Sequence, residues 1–152
     1  MDLSRDLAIV ADTYHHKIKT MKISTGELTF LAGSGAFHGR QTSDKHEDGV
    51  GAAATFARPN SVTALGNIAL VADGVNNAIR KVELSTGKVT TLGGFFQTDD
   101  VSWAIPLHDR DGLGTIATFN GPSGICMNDN FALVMDAAQS NAVRVITPQS
   151  PQ

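Results

Sequence analysis

Short apolar runs alternate with clusters of Gly, Asn, Asp and Ser along the whole chain. LAIVAD, IALVAD and FALVMD are almost continuously apolar. The segments that follow them, KIKTMKI, AIRKVEL and AVRVIT, mix apolar with charged positions. GELTFLAG and GKVTTLGG come next, each entered through Ser-Thr-Gly, at Ser24-Thr25-Gly26 and Ser85-Thr86-Gly87. Runs of this length, rich in valine, isoleucine and threonine and bounded by turn residues, read as strands. No segment sustains a helical period over ten residues or more. The pattern predicts an all-β chain. The continuously apolar strands fit positions covered on both faces, as in stacked sheets.

The strands recur. Leu7 to Gly33 matches Ile68 to Gly94 at 11 of 27 positions, at a constant offset of 61. Asp48 to Asp73 matches Asp111 to Asp136 at 12 of 26, at an offset of 63. Identity at that density along two windows makes the repeating unit about sixty residues, of which the chain holds nearly three. Each complete unit reads as four strands, the first lying around TFARPNSVTA and TFNGPSGICM. The first unit lacks most of its first strand, and the third stops before its fourth.

The ordered motifs carry a resemblance. DGVGAAATFARP, then VADGVNNAIRKVELSTGKVTTLGG, is similar to an NHL repeat, and the unit from Asp48 to Gly94 carries nearly all of that pattern. The first unit has His15-His16 where asparagine is usual, and the third reads DAAQSNAVR, one residue longer. The resemblance implies a β-propeller of four-stranded blades. Blade 1 is expected at about 1–47, blade 2 at about 48–110 and blade 3 at about 111–147, with a tail at 148–152, as one propeller segment. Propellers use about four to eight blades, so three do not close a ring. Two completions follow: two chains pairing into a six-bladed ring, or a segment of a larger propeller. Pairing is preferred, because an open ring leaves two apolar blade faces bare.

Up-and-down connectivity places the loops joining strands two and three on the same face as the blade-to-blade connections. That face takes the long segments Gly33 to Glu47 and Gly94 to Arg110, and long loops on a rigid scaffold commonly carry function. The candidate partner-binding residues there are Tyr14, His15, His16, Phe37, His38, Arg40, Asn76, Asn77, Phe96, Trp103, His108, Arg110, Gln139 and Asn141. Aromatic and arginine side chains anchor interfaces, and amides supply adaptable hydrogen bonds. The leading expectation is a non-enzymatic scaffold that binds a protein or peptide.

Charge and composition narrow the alternatives. The 152 residues carry a net charge of -3, which speaks against non-specific nucleic-acid binding. Single-stranded RNA binding through Tyr14, Phe37, Trp103, Arg40 and Arg110 is one alternative. The acidic residues Asp44, Glu47, Asp48, Asp99, Asp100, Asp109 and Asp111 oppose it. A metal-dependent lyase or hydrolase using His15, His16, His38 or His108 is the other, although no local pair has a recognised ligand spacing. Asp109-Arg110-Asp111-Gly112 lacks the glutamate of a calcium loop. No metal, cofactor or membrane contact is expected. Cys126 is the lone cysteine, and the N-terminal segment lacks the pattern of a secretory signal. Asp12, Asp73 and Asp136 recur, as do Lys19, Arg80 and Arg144, and recurrence in every unit marks them as scaffold.

Overall fold

The computed structural model describes residues 6–36, 47–94, 110–137 and 141–147. These form three antiparallel sheets. The first holds β1 (Leu7–Asp12), β2 (Lys17–Lys22) and β3 (Leu28–Ala32). The second holds the short β4 (Gly49–Val50), then β5 (Pro59–Leu65), β6 (Ile68–Asp73), β7 (Ala78–Glu83) and β8 (Lys88–Gly93). The third holds β9 (Pro122–Met127), β10 (Ala132–Asp136) and β11 (Ala142–Ile146). In the second sheet β5 to β8 lie in chain order, and β4 returns to the outer edge of β8. The all-β, blade-like architecture expected from the repeat is therefore present, with the first sheet lacking a first strand and the third lacking a fourth among the described residues. Single 3-10 turns occupy Thr13–His15, Gly51–Ala53 and Gly114–Ile116. No helix among the described residues is long and apolar enough to cross a membrane.

Two apolar clusters glue the sheets face to face. Between the first and second sheets lie Ile18, Ala32, Ala54, Phe56, Val71, Val82 and Val89. Between the second and third lie Leu70, Ala72, Ile79, Ala117, Phe119, Ile125 and Val134. Successive residues of β6 point to opposite faces. Val71 therefore serves one cluster while Leu70 and Ala72 serve the other, and this is why IALVAD is apolar throughout. Phe56 and Phe119, 63 positions apart, fill the same place in the two clusters.

Candidate functional site

The loops joining strands two and three are 13–16, 74–77 and the segment before β11. The ends of the fourth strands meet them: a Cβ on Gly33 would stand 2.5 Å from the His16 carbonyl oxygen, and one on Gly94 2.5 Å from that of Asn77. Both glycines have positive φ, +108° and +117°, so the chain leaves each blade through a point only glycine fits. The start of each blade-to-blade connection thus lies beside the loop between strands two and three.

The predicted residues divide sharply once placed. Tyr14 is 78% exposed. The His15 side chain is 75% exposed, with Nδ1 2.7 Å from the Asp12 carboxylate. His16 turns the other way and is buried, its Nδ1 accepting the Arg58 backbone N–H at 3.1 Å. Asn77 does the same one blade on: its Oδ1 accepts the Gly121 N–H at 2.8 Å. His16, Asn77 and Asn141 share a left-handed backbone, at φ 56°, 52° and 45°. His16 and Asn77 therefore fasten one blade to the segment that opens the next. Asn76 is buried, donating from Nδ2 to Asp73 Oδ2 at 2.8 Å. Arg110 is exposed and bridges Thr118 through its backbone. Phe37, His38, Arg40, Phe96, Trp103, His108 and Gln139 lie outside the described residues. Among the described residues no group of three His, Cys, Asp or Glu side chains is placed to hold a metal.

The recurring charges form the same lock in successive blades. Arg80 is fully buried, and its guanidinium donates to Asp73 Oδ2 (3.1 Å), the Thr55 carbonyl (2.8 Å), the Glu47 carbonyl (3.0 Å) and Asp48 Oδ1 (2.9 Å). Arg144 repeats this set on Asp136, Thr118, Arg110 and Asp111. Each arginine also stacks on a phenylalanine, Arg80 on Phe56 and Arg144 on Phe119. In blade 1 the counterpart is the Lys19–Asp12 pair at 2.6 Å. Burial pushes the Asp73 carboxyl up to about 6, against the pull of Arg80 and the hydrogen bonds from Ala57 and Asn76. Asp12, at the surface, is instead held below the ordinary carboxylate value by its bonds to Lys19 and His15.

The repeat chemistry and the geometry agree with relatives. No family model matches the chain. NHL repeat-containing protein 2 of Homo sapiens is 35% identical over 94 residues, 62% of this chain and 12% of that protein. The same protein of Bos taurus is 31% identical over 134 residues, 87% of this chain and 17% of that protein. The chain belongs to the NHL-repeat family. It spans less than a fifth of those relatives' length, 12% to 17%. Among solved structures, a protein of unknown function from Bacteroides thetaiotaomicron superposes with a TM-score of 0.72 at 25% identity, over 95% of this chain and 33% of that one. An auxiliary nutrient binding protein from Bacteroides ovatus superposes at 0.70 and 23% identity, over 97% of this chain and 36% of that one, which shows a shared fold.

Against this NHL scaffold one residue stands out that the repeat comparison left unremarked. Arg58 has φ 51°, and its counterpart 63 positions on is Gly121 at φ 66°. A side chain in the left-handed region costs roughly 1–2 kcal/mol. Arg58 is exposed, and its guanidinium lies 5.7 Å from the Tyr14 ring centroid. The signal was present in the alignment of TFARP with TFNGP. Tyr14 is likewise unmatched: one unit on, its place is taken by Val75.

Proposed function

We propose that this NHL segment is a binding scaffold whose loop face holds a protein or peptide, anchored at the blade 1–blade 2 junction by Tyr14 and Arg58. The observation that carries the reading is Arg58 itself. An arginine at a backbone position filled by glycine in the next unit sacrifices stability, and such strain concentrates where a side chain is needed for function. The two residues are absent from the equivalent junction, so they are not part of the repeating scaffold. An exposed tyrosine stacked with arginine on a rigid base is a common composition of interface anchors. His15 stands beside them as a further polar contact, whereas His16, Asn76 and Asn77 serve the blade architecture.

The test is selection of a random peptide library on the 152-residue protein, followed by binding of the selected peptides to Tyr14→Ala and Arg58→Gly. Affinity losses of about tenfold or more on both variants are expected, since a truncated anchor costs about 2 kcal/mol. Selected peptides that bind both variants as tightly as the parent would place the binding surface elsewhere.

A further inference from the structure

The turn after β1 is joined to the segment that opens blade 2 by a bond that a proton can break. His16 Nδ1 accepts the Arg58 N–H at 3.1 Å. A backbone N–H only donates, so Nδ1 is bare and the proton of the neutral ring sits on Nε2. A second proton, taken up on Nδ1, sets two donors face to face and ends the bond. The next junction makes the same link with a group that does not titrate: Asn77 Oδ1 accepts the Gly121 N–H at 2.8 Å.

The two links also hold different backbones. His16 is buried and closes the 3-10 turn Thr13–His15, which carries Tyr14. Its partner Arg58 stands at φ 51°, a backbone that L side chains resist, whereas Gly121 takes φ 66° at no steric cost. At the blade 1–blade 2 junction a titratable acceptor therefore restrains a residue that relaxes when released. At the next junction a fixed acceptor holds a glycine with no strain to release. The Thr13 hydroxyl also donates to the Pro59 carbonyl at 2.9 Å, and an apolar cluster joins the first two sheets. Neither titrates, so loss of the His16 bond opens the junction locally and leaves the blades together.

Charged groups stand on the elements that meet here. Asp12, before the turn, accepts from His15 and Lys19. Lys17 places its ammonium over the Phe30 ring, and Arg58 its guanidinium over the Tyr14 ring. The strand end that crosses His16, Ala32-Gly33-Ser34, is uncharged. Asp73, at the end of β6, accepts from Arg80, Asn76 and the Ala57 N–H, and burial pushes its carboxyl up to about 6. It thus takes up a proton near the ordinary histidine value of about 6.5, and it holds the neighbour of Arg58. The next junction has its own buried acid, Asp136, on the Asn120 N–H at 2.7 Å. The acceptor that differs between the junctions is His16 against Asn77.

We propose that His16 is an acid-opened clasp: its protonation releases Arg58 from the left-handed backbone, and the loop face lets go of what Tyr14 and Arg58 hold. The release step rests on the reading of those two residues as the anchor; the clasp does not. The bond exists with the neutral ring and is lost with the charged one, so the junction is tight at neutral pH and loosens on acidification.

Amide hydrogen exchange of the 152-residue protein reads the clasp directly. Protection is taken relative to the unstructured chain, which removes the intrinsic effect of pH. Between about pH 7.5 and about pH 5, protection of the Arg58 amide is expected to fall about tenfold, since a ring one pH unit below its midpoint is neutral about one time in ten. The Gly121 amide is expected to hold. In His16→Asn, which installs the acceptor of the next junction, Arg58 is expected to keep its protection. Library-selected peptides free of Asp, Glu and His read the release: the parent is expected to lose about tenfold in affinity at about pH 5, and His16→Asn to lose none. Arg58 protection that ignores pH overturns the clasp. A parallel fall at Arg58 and Gly121 overturns it too, and this comparison needs no variant. A fall that persists in His16→Asn does the same and assigns the effect to Asp73. Peptides that need Tyr14 yet bind equally at both pH values overturn the release. Peptides indifferent to both Tyr14→Ala and Arg58→Gly overturn the anchor and the release with it, while exchange at Arg58 still decides the clasp.

Discussion

Arg58 and Asp73 illustrate how one side chain's surroundings set its effect on the fold. Arg58→Gly removes left-handed strain but gives the unfolded chain more freedom, so stability is expected to stay level or rise by up to about 1 kcal/mol. A urea melt checks this. A structural arginine would show a clear loss instead. Asp12 and Asp73 occupy the same place in successive blades, yet burial gives them opposite signs. The folded chain binds a proton at Asp73 more tightly than the unfolded chain does, because its value is raised from 3.8 to about 6. Its contribution to stability is therefore full below the ordinary value and is lost as pH rises through 6. Asp12, lowered by Lys19 and His15, contributes above the ordinary value and loses that contribution as pH falls below it. Carboxyl carbon NMR is expected to show an Asp73 midpoint near 6 and an Asp12 midpoint below 3.8. An Asp73 midpoint in the ordinary carboxylate range would mean that Arg80 outweighs burial.

At the scale of the element, strands and turns were legible because they depend on neighbours in sequence. The apolar run in β6 announced a strand covered on both faces, and its two sets of side chains do enter different clusters. The ends of the loops were less legible. His16 and Asn77 read as surface candidates because they sit in polar turns, but their side chains reach backbone N–H groups 42 and 44 residues away. No local pattern reports a partner at that distance. Arg58 was missed for the related reason that its strain is a backbone property, visible in sequence only as a mismatch with glycine. The interblade fastening at Asn77 gives a separable prediction. Asn77→Gly loses one hydrogen bond and is expected to cost about 1 kcal/mol. Asn77→Ala also strains the left-handed backbone at φ 52° and is expected to cost about 2 kcal/mol. Equal losses in denaturant melts would show that the side-chain bond alone matters.

At the scale of the whole molecule, the two outermost sheets each have a face that no described residue covers. In blade 3 the cross-strand pairs Leu133↔Val145 and Met135↔Val143 place four apolar side chains on that face. Met135, Val143 and Val145 are 56%, 65% and 60% exposed. One blade earlier the counterparts of Leu133, Met135 and Val143 are Leu70, Ala72 and Ile79, buried because blade 3 stacks on them, while that of Val145 is the half-buried Lys81. The repeat thus presents, at its end, the surface it uses internally to receive a neighbour. In blade 1 the opposite end is more polar, carrying Asp12 and Lys19, though Val10, directly across from Lys19, is half-buried. Two chains stacking end to end would bring the apolar face of one against that surface of the other, twice over, by a two-fold axis. Light scattering is expected to give a mass near twice 16.0 kDa that falls toward one chain on dilution. Met135→Lys with Val143→Lys is expected to hold the chain at a single copy without loss of fold, since both side chains already face solvent in the isolated chain. A parent protein that stays at one copy at every concentration would show that stacking of identical chains does not cover this face, and that its natural cover is a blade of different sequence.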